Sequence, residues 1–203
     1  VGTQEVNERL PRNFGGFVEC IHITQVDCVV EGEHGPLPQV LPEEPEPEER
    51  QIADHIFPYI RDGATIQLGI GGIPRLMGSM LAQSDVKDLG MHTELCSDAY
   101  VDLHEAGKLT NRKKTLLRHK GVTGIAFGSQ RLYDWLEENP GVMICPLEYV
   151  NDPEVIAKLD NMISINTGLS ADLYGQVTAE SSALRHISGT GGQLDFVTGA
   201  SMS

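Results

Sequence analysis

The sequence predicts an α/β protein, built on an open, mostly parallel sheet flanked by helices. Three observations carry that expectation. From residue 48 onward, short runs rich in Val and Ile alternate with stretches of helical periodicity. The joints between them are turn sequences such as Asp62-Gly63 and Asn139-Pro140-Gly141. Apolar residues make up 40% of the 203 and charged residues 22%, the balance of an ordinary globular chain that buries a core.

Taken in order, residues 17–30 (FVECIHITQVDCVV) are rich in Val, Ile and Thr and read as one or two strands. The segment 32–47 (GEHGPLPQVLPEEPEP) carries five prolines and a cluster of glutamates. No regular element tolerates that composition, so a linker is expected over 33–47. The residues before it are too few to bury a core of their own and are expected to be the tail of another domain. Residues 48–203 are then the main domain.

Glu48–Ile60 is expected to be a helix, with Ile52, Ile56 and Ile60 on one face, Pro47 near its start and Asp62-Gly63 at its end. ATIQLGI (64–70) reads as a buried strand. After a glycine turn, Ile73, Leu76, Met77, Met80 and Leu81 form one helical stripe. A strand is expected at 91–95, a short helix at 98–105 stopped by Gly107, a strand at 122–127, a helix at 130–138 and a strand at 142–145. Asp152 as N-cap and Pro153 at the first helical position open a helix to Leu159. Met162–Ile165 closes the alternation as a strand, and 172–196 reads as polar, glycine-rich and strand-like. In a parallel sheet of this kind, ligands bind outside the carboxyl ends of the strands.

Charge narrows the function. Twenty-nine acidic against fifteen basic residues give a net charge of −14, which argues against nucleic acid and against an anionic membrane as partners. An anionic substrate would need a local pocket of a few cations and backbone N–H groups. No apolar run reaches the length of a membrane span. Cys20, Cys28, Cys96 and Cys145 include no CxxC pair or zinc spacing, so no metal is expected and the thiols read as free, mostly buried groups in a reducing compartment, the cytoplasm. Val1–Glu5 do not resemble a signal peptide, and the absence of an initiating Met suggests a fragment or a processed piece.

Four stretches could carry chemistry. Gly69-Ile70-Gly71-Gly72-Ile73-Pro74 joins a strand to a helix, where glycines admit a close ligand and the helix start offers free N–H groups. This is an anion or oxyanion site or a plain tight turn, and Pro74 spoils a dinucleotide fingerprint. Glu94, in Met91-His92-Thr93-Glu94-Leu95-Cys96, lies at the carboxyl end of an apolar strand, where an unpaired carboxylate is costly: it either has a task or is a partly exposed or capped residue. His92 and Cys96 share a strand face roughly 13 Å apart, too far to act as a nucleophile pair. Ser188-Gly189-Thr190-Gly191-Gly192-Gln193 is a second glycine loop that could converge on the same ligand. Arg112-Lys113-Lys114, with Arg118 and Lys120, could meet ligand phosphates or form a solvated turn, and Glu180 is a further carboxylate.

Together VNERLPRNFGG (6–16), HITQVDCVVEG (22–32), IQLGIGGIP (66–74), GMHTELCSDAYVDLHEAGKL (90–109), SINTGLSADLYGQVTAES (164–181) and SGTGGQLDFVTGAS (188–201) resemble, in order and almost end to end, the acetyl-CoA hydrolase/transferase family. Within it they are most similar to the 4-hydroxybutyrate and butyryl-CoA:acetate CoA-transferases.

The resemblance implies a CoA-transferase-like domain and a covalent, ping-pong transfer of CoA between an acyl-CoA and a short-chain carboxylate. Glu94 would be the nucleophile. Gly69, Ile70, Gly71, Gly72, Gly189, Thr190, Gly191, Gly192 and Gln193 would supply oxyanion donors, first at Ile70 and second around Gly189, and would hold part of CoA. CoA or acyl-CoA is then a substrate, and no permanent cofactor or metal is implied. Complete family members are about twice as long. By that measure 1–32 is the tail of an amino-terminal CoA-transferase domain and 48–203 a second domain incomplete at its carboxyl end, expected in a homo-oligomer or paired with the missing portions. Family members often carry Gly after Ser-Asp, where this chain has Ala99, a change expected to remove backbone freedom near the nucleophile. An acyl-CoA hydrolase, using water as acceptor, and a non-catalytic CoA-binding fragment are the alternatives.

Overall fold

The computed structural model describes residues 2–17, 20–40 and 44–203. Its centre is a five-stranded sheet, parallel throughout. Ahead of it, β1 (Thr3–Val6) and β2 (Cys28–Glu31) form a separate two-stranded parallel ladder. The main sheet contains β3 (Thr65–Leu68), β4 (Gly90–Cys96), β5 (Gly121–Ala126), β6 (Val142–Ile144) and β7 (Met162–Ile165), in the spatial order β6-β5-β4-β3-β7. The chain steps outward from β3 through β6, then returns to the far side of β3 with β7. That reversal makes the carboxyl ends of β3 and β7 the topological switch point.

The helices are α1 (Pro47–Ile56), α2 (Gly72–Gln83), α3 (Asp98–Glu105), α4 (Gln130–Leu136), α5 (Leu147–Val150), α6 (Pro153–Ile156) and α7 (Gln193–Met202). Two small antiparallel hairpins, β8 (Ser170–Ala171) with β9 (Val177–Thr178) and β10 (Ser181–Ser182) with β11 (Arg185–His186), lie between β7 and α7. One core layer joins Ile66, Leu68 and Met91 to Met77, Leu81, Tyr100 and Leu103 of α2 and α3. The opposite layer joins Val122, Met143 and Met162 to Val150, Ile156 and Phe196 of α5, α6 and α7.

Several expectations are corrected. The first helix stops at Ile56, four residues early, and Phe57–Tyr59 is a 3-10 turn. Pro58 has no N–H to continue the ladder, and its ring disfavours helix in the residue before it. Among the described residues of 17–30 the only strand is the one that begins at Cys28 (Cys28–Glu31), and Ile23–Gln25 is a 3-10 turn capped by His22. Residues 18 and 19 of that stretch, and 41–43 of the expected linker, lie outside the described residues. The segment 172–196 is two hairpins followed by the start of α7, not a run of strand. Helix α7 buries only Phe196 and Gly199, which leaves little apolar stripe to read. It is held by close approach to α6, where a Cβ on Gly199 would lie 2.5 Å from Ile156 Cβ. Two thiols, Cys20 and Cys28, are exposed rather than buried.

Ala99 sits in ordinary helix, in a notch opened by Gly78 of α2, where an added Cβ would lie 2.5 Å from its own. The alanine therefore fixes how closely α2 and α3 pack rather than straining the backbone beside Glu94.

Tyr100 shapes the site end of the sheet. β3 pairs with β7 over four residues but with β4 only at Thr65 and Ile66. Beyond that point Leu68 N–H donates to the buried Tyr100 hydroxyl at 2.9 Å instead of to a neighbouring strand. Tyr100→Phe would orphan that buried N–H, costing about 1–3 kcal/mol. Urea unfolding should show the midpoint fall with the slope unchanged.

Candidate functional site

The site is assembled at the carboxyl ends of β3, β4 and β7. Glu94 is half-buried on β4, and its Oε2 accepts a hydrogen bond of 2.7 Å from Gly192 N–H. Gly192 is the N-cap of α7, so one carboxylate oxygen rests on the positive end of a ten-residue helix. The other oxygen, Oε1, carries no protein hydrogen bond among the described residues. Gly192 has ordinary dihedrals, φ −77° and ψ 4°, so its need for glycine is spatial. A Cβ there would overlap Glu94 Oε2 and lie 2.6 Å from Asn151 Nδ2.

Asn151 is the neighbour that sequence reading missed. It terminates α5, with its N–H donating to Leu147 O at 2.9 Å. Its side-chain Oδ1 is buried without a hydrogen-bond partner. Buried carboxamide oxygens are ordinarily satisfied, so this one is a spare acceptor on a side chain that borders Gly192. No sequence motif marked it; the only signal was Asp152-Pro153 behind it, which fixes where the chain turns.

On the β5 side the lateral neighbour of Glu94 is a glycine. The β4–β5 register pairs Thr93 with Thr123 and Leu95 with Ile125, which sets Gly124 level with Glu94. On the other side β3 pairs with β4 only at Thr65 and Ile66, and Gly69 follows the end of β3, three residues beyond that pairing. The two flanks differ in chemistry. Over Gly69 lies the Asn166 carboxamide, whose Oδ1 would be 2.7 Å from an added Cβ. It belongs to a closed polar network: Gln67 Nε2 donates to Asn166 Oδ1 at 3.0 Å, and Ser164 Oγ donates to Gln67 Oε1 at 2.6 Å. Over Gly124 lies the Leu147 side chain.

In the loop after β3, Gly69 N–H is consumed by Ile165 O at 2.9 Å and continues the ladder with β7. Ile70 N–H makes no hydrogen bond among the described residues, and the residue is 72% exposed. Gly71, at φ 125°, adopts a conformation that side-chain-bearing residues rarely reach, and it caps α2. Gly72 faces the Glu49 carboxylate of α1, which an added Cβ would overlap. In the second loop, Gly189, Thr190 and Gly191 are exposed, Gly192 is buried against Glu94, and Gln193 opens α7.

Other candidates lie elsewhere. The basic cluster sits at the opposite, amino-terminal end of the sheet. Arg112 is paired with Asp88 at 2.5 Å, and its guanidinium holds that carboxyl below its usual range. Lys114 is 1% exposed and gives hydrogen bonds to Met91 O and Lys120 O, with burial pulling its pKa to about 7. The surface concavity lined by Asp62, Lys87, Arg112 and Asp160 is at that end too. Glu180 lies between the hairpins, where its carbonyl accepts from Ile187 and Ser188. Cys96 is buried against Met91, and burial pushes its thiol up, which leaves it an unreactive core residue. Among the described residues no cluster of three or more His, Cys, Asp or Glu could hold a metal ion, and no helix is long and apolar enough to cross a membrane.

His92 supports Glu94 from below. Its Nε2–H donates to Val150 O at 2.8 Å, and its ring packs 6.0 Å from that of Phe196. Burial, helped by the charge of Lys114, lowers its pKa to about 4 against the opposing Val150 bond. Above the unfolded value of about 6.5, His92 is neutral in both states and costs nothing. As pH falls from there toward 4, the unfolded chain takes up the proton and the folded one does not. The folded state then loses up to about 3 kcal/mol. Urea unfolding at pH 7 and pH 5 should show wild type losing about 2 kcal/mol more than His92→Gln.

Comparison with known proteins identifies the fold's relatives. Residues 128–203 match the acetyl-CoA hydrolase/transferase C-terminal domain. The probable butyrate:acetyl-CoA coenzyme A-transferase of Syntrophomonas wolfei is 50% identical over 196 residues, 97% of this chain and 44% of that protein. The chain belongs to the acetyl-CoA hydrolase/transferase family. Butyryl-CoA:acetate CoA-transferase of Anaerostipes caccae is 47% identical over 98% of this chain and 45% of its own length. The crystal structure of RipA from Yersinia pestis superposes with a TM-score of 0.89 at 41% identity, over 99% of this chain and 45% of that one. The family member described here therefore spans a little under half the length of these relatives.

Proposed function

We propose that this chain carries the nucleophile of a CoA-transferase that moves CoA between an acyl-CoA and a short-chain carboxylate. The observation that carries the reading is the Glu94 carboxylate, set at a strand end with one oxygen anchored by Gly192 N–H and the other free. The names of the relatives, which are butyrate and acetate CoA-transferases, support the substrate class.

In this reading Glu94 Oε1 attacks the thioester carbonyl, and the C–S bond breaks to give an acyl-glutamyl anhydride and CoA thiolate. The thiolate attacks the glutamyl carbonyl and displaces the acyl group as carboxylate, leaving a glutamyl-CoA thioester. A second carboxylate reverses both steps. Ile70 N–H is free to donate to an oxyanion, and Gly192 N–H already donates to the carboxylate that must hold still. The glycine stretches 69–72 and 189–193 would let the CoA thiol end approach backbone closely. Residues 1–32 are read as the tail of an amino-terminal domain, 33–47 as a linker and 48–203 as the domain bearing Glu94. The working enzyme is read as a cytoplasmic homo-oligomer.

The test is intact-mass analysis and peptide mapping after incubation with butyryl-CoA. It should be run on the 203-residue chain and on the polypeptide encoded by the complete reading frame. A CoA-sized adduct on the peptide containing Glu94 is expected. CoA binding without any adduct in either protein would replace the transferase with a binding role. Loss of thioester at a rate indifferent to added acetate would replace it with a hydrolase.

A further inference from the structure

Two side chains of the same short helix reach the surroundings of Glu94. Helix α5 begins at Leu147 and is capped at its carboxyl end by Asn151, four residues on and so one turn along the same side. Asn151 abuts Gly192 beside the anchored carboxylate oxygen. Leu147 lies across Gly124, the β5 residue level with Glu94, where an added Cβ would overlap Leu147 Cδ2 and sit 3.3 Å from Cγ. Neighbouring strands run about 4.8 Å apart, so the Leu147 methyls stand one strand from the nucleophile. Leu147 remains 40% exposed although it packs on the sheet, so one side of it faces open space.

The opposite flank is closed to apolar groups. There Gly69 is covered by Asn166, which is tied to Gln67 and Ser164 by hydrogen bonds of 2.6 to 3.1 Å. An alkyl chain placed on that network would strip water from polar groups and return nothing, whereas the Leu147 flank gains by covering a methyl surface.

We propose that the acyl chain of the substrate lies over Gly124 against Leu147, and that Leu147 sets the chain length accepted, favouring small unbranched aliphatic acids over longer ones. This rests on Glu94 being the acyl acceptor. Leu147 forms no part of the bond-making machinery; it acts by the room it leaves.

The experiment compares rate constants for adduct formation with acetyl-, butyryl- and hexanoyl-CoA in the polypeptide encoded by the complete reading frame. Leu147→Ala should raise the hexanoyl-to-butyryl ratio about tenfold or more, and Leu147→Phe should lower the butyryl-to-acetyl ratio by a similar factor, because a methylene's worth of room discriminates on that scale. Variants that alter all three substrates in proportion, or none, would overturn the assignment. A wild-type protein that forms no adduct with any of the three would count against the covalent reading instead. The acyl position is then read separately from 13C-methyl-labelled Leu147 with the ketone analogue 2-oxopentyl-CoA. Resonances that move with the analogue and not with CoA alone would sustain the proposal, and methyls that stay still would refute it.

Discussion

Glu94→Gln should abolish the CoA adduct while leaving the fold intact. The amide oxygen can still accept from Gly192 N–H, so the 2.7 Å contact that ties β4 to α7 survives. The lost property is nucleophilicity, because a neutral carboxamide does not attack a thioester at a useful rate. Rate constants for adduct formation should fall by at least about a thousandfold, in line with removal of a catalytic nucleophile. Glu94→Asp separates charge from reach: it keeps the carboxylate but draws it back by one carbon–carbon bond, away from Gly192 N–H. Its rate should fall between the two, since misplacement by about 1 Å already costs on the order of a hundredfold. Full activity in Glu94→Gln would remove Glu94 from the chemistry.

Gly192→Ala should also be damaging, by a different route and to a smaller extent. Its backbone accepts alanine without strain, but the methyl would overlap Glu94 Oε2 and lie 3.0 Å from Asn151 Cγ. Side-chain ends can move aside, so thermal unfolding should change little. The displaced carboxylate is expected to lose about a hundredfold in adduct formation. Gly191→Ala is the control: there the added Cβ would stand 3.7 Å from Glu94 Oε2, an ordinary contact. Equal losses in the two variants would mean that the loop, and not the overlap with the carboxylate, is responsible.

The sheet was legible because its strands announce themselves. Thr65–Leu68 is buried at every position, and the stripe from Ile73 to Leu81 matches α2. Helices α5 and α7 were not legible for opposite reasons. At four residues α5 is too short to show a period, and α7 contains Gly199 and two β-branched residues that argue locally against helix. Tertiary packing against α6 overrides that preference. The same limit applies to the site. Glu94 stood out as a carboxylate in an apolar strand, and Gly192 as a glycine in a loop. Their hydrogen bond spans 98 residues of chain, and nothing in local pattern selects Gly192 over Gly189 as the partner. Asn151 was invisible because a polar residue before Asp-Pro reads as an ordinary turn.

The four residues of α5 also constrain how this protein could be redesigned. Leu147 and Asn151 are carried on one rigid turn, pinned in front by Pro146 and behind by the Asp152 cap on Glu154 N–H. A loop insertion or deletion between β6 and α6 would shift both together. Repurposing the scaffold for a bulkier acid is therefore a task for side-chain exchange at a fixed backbone, because remodelling the loop would disturb the neighbourhood of Glu94 in the same stroke.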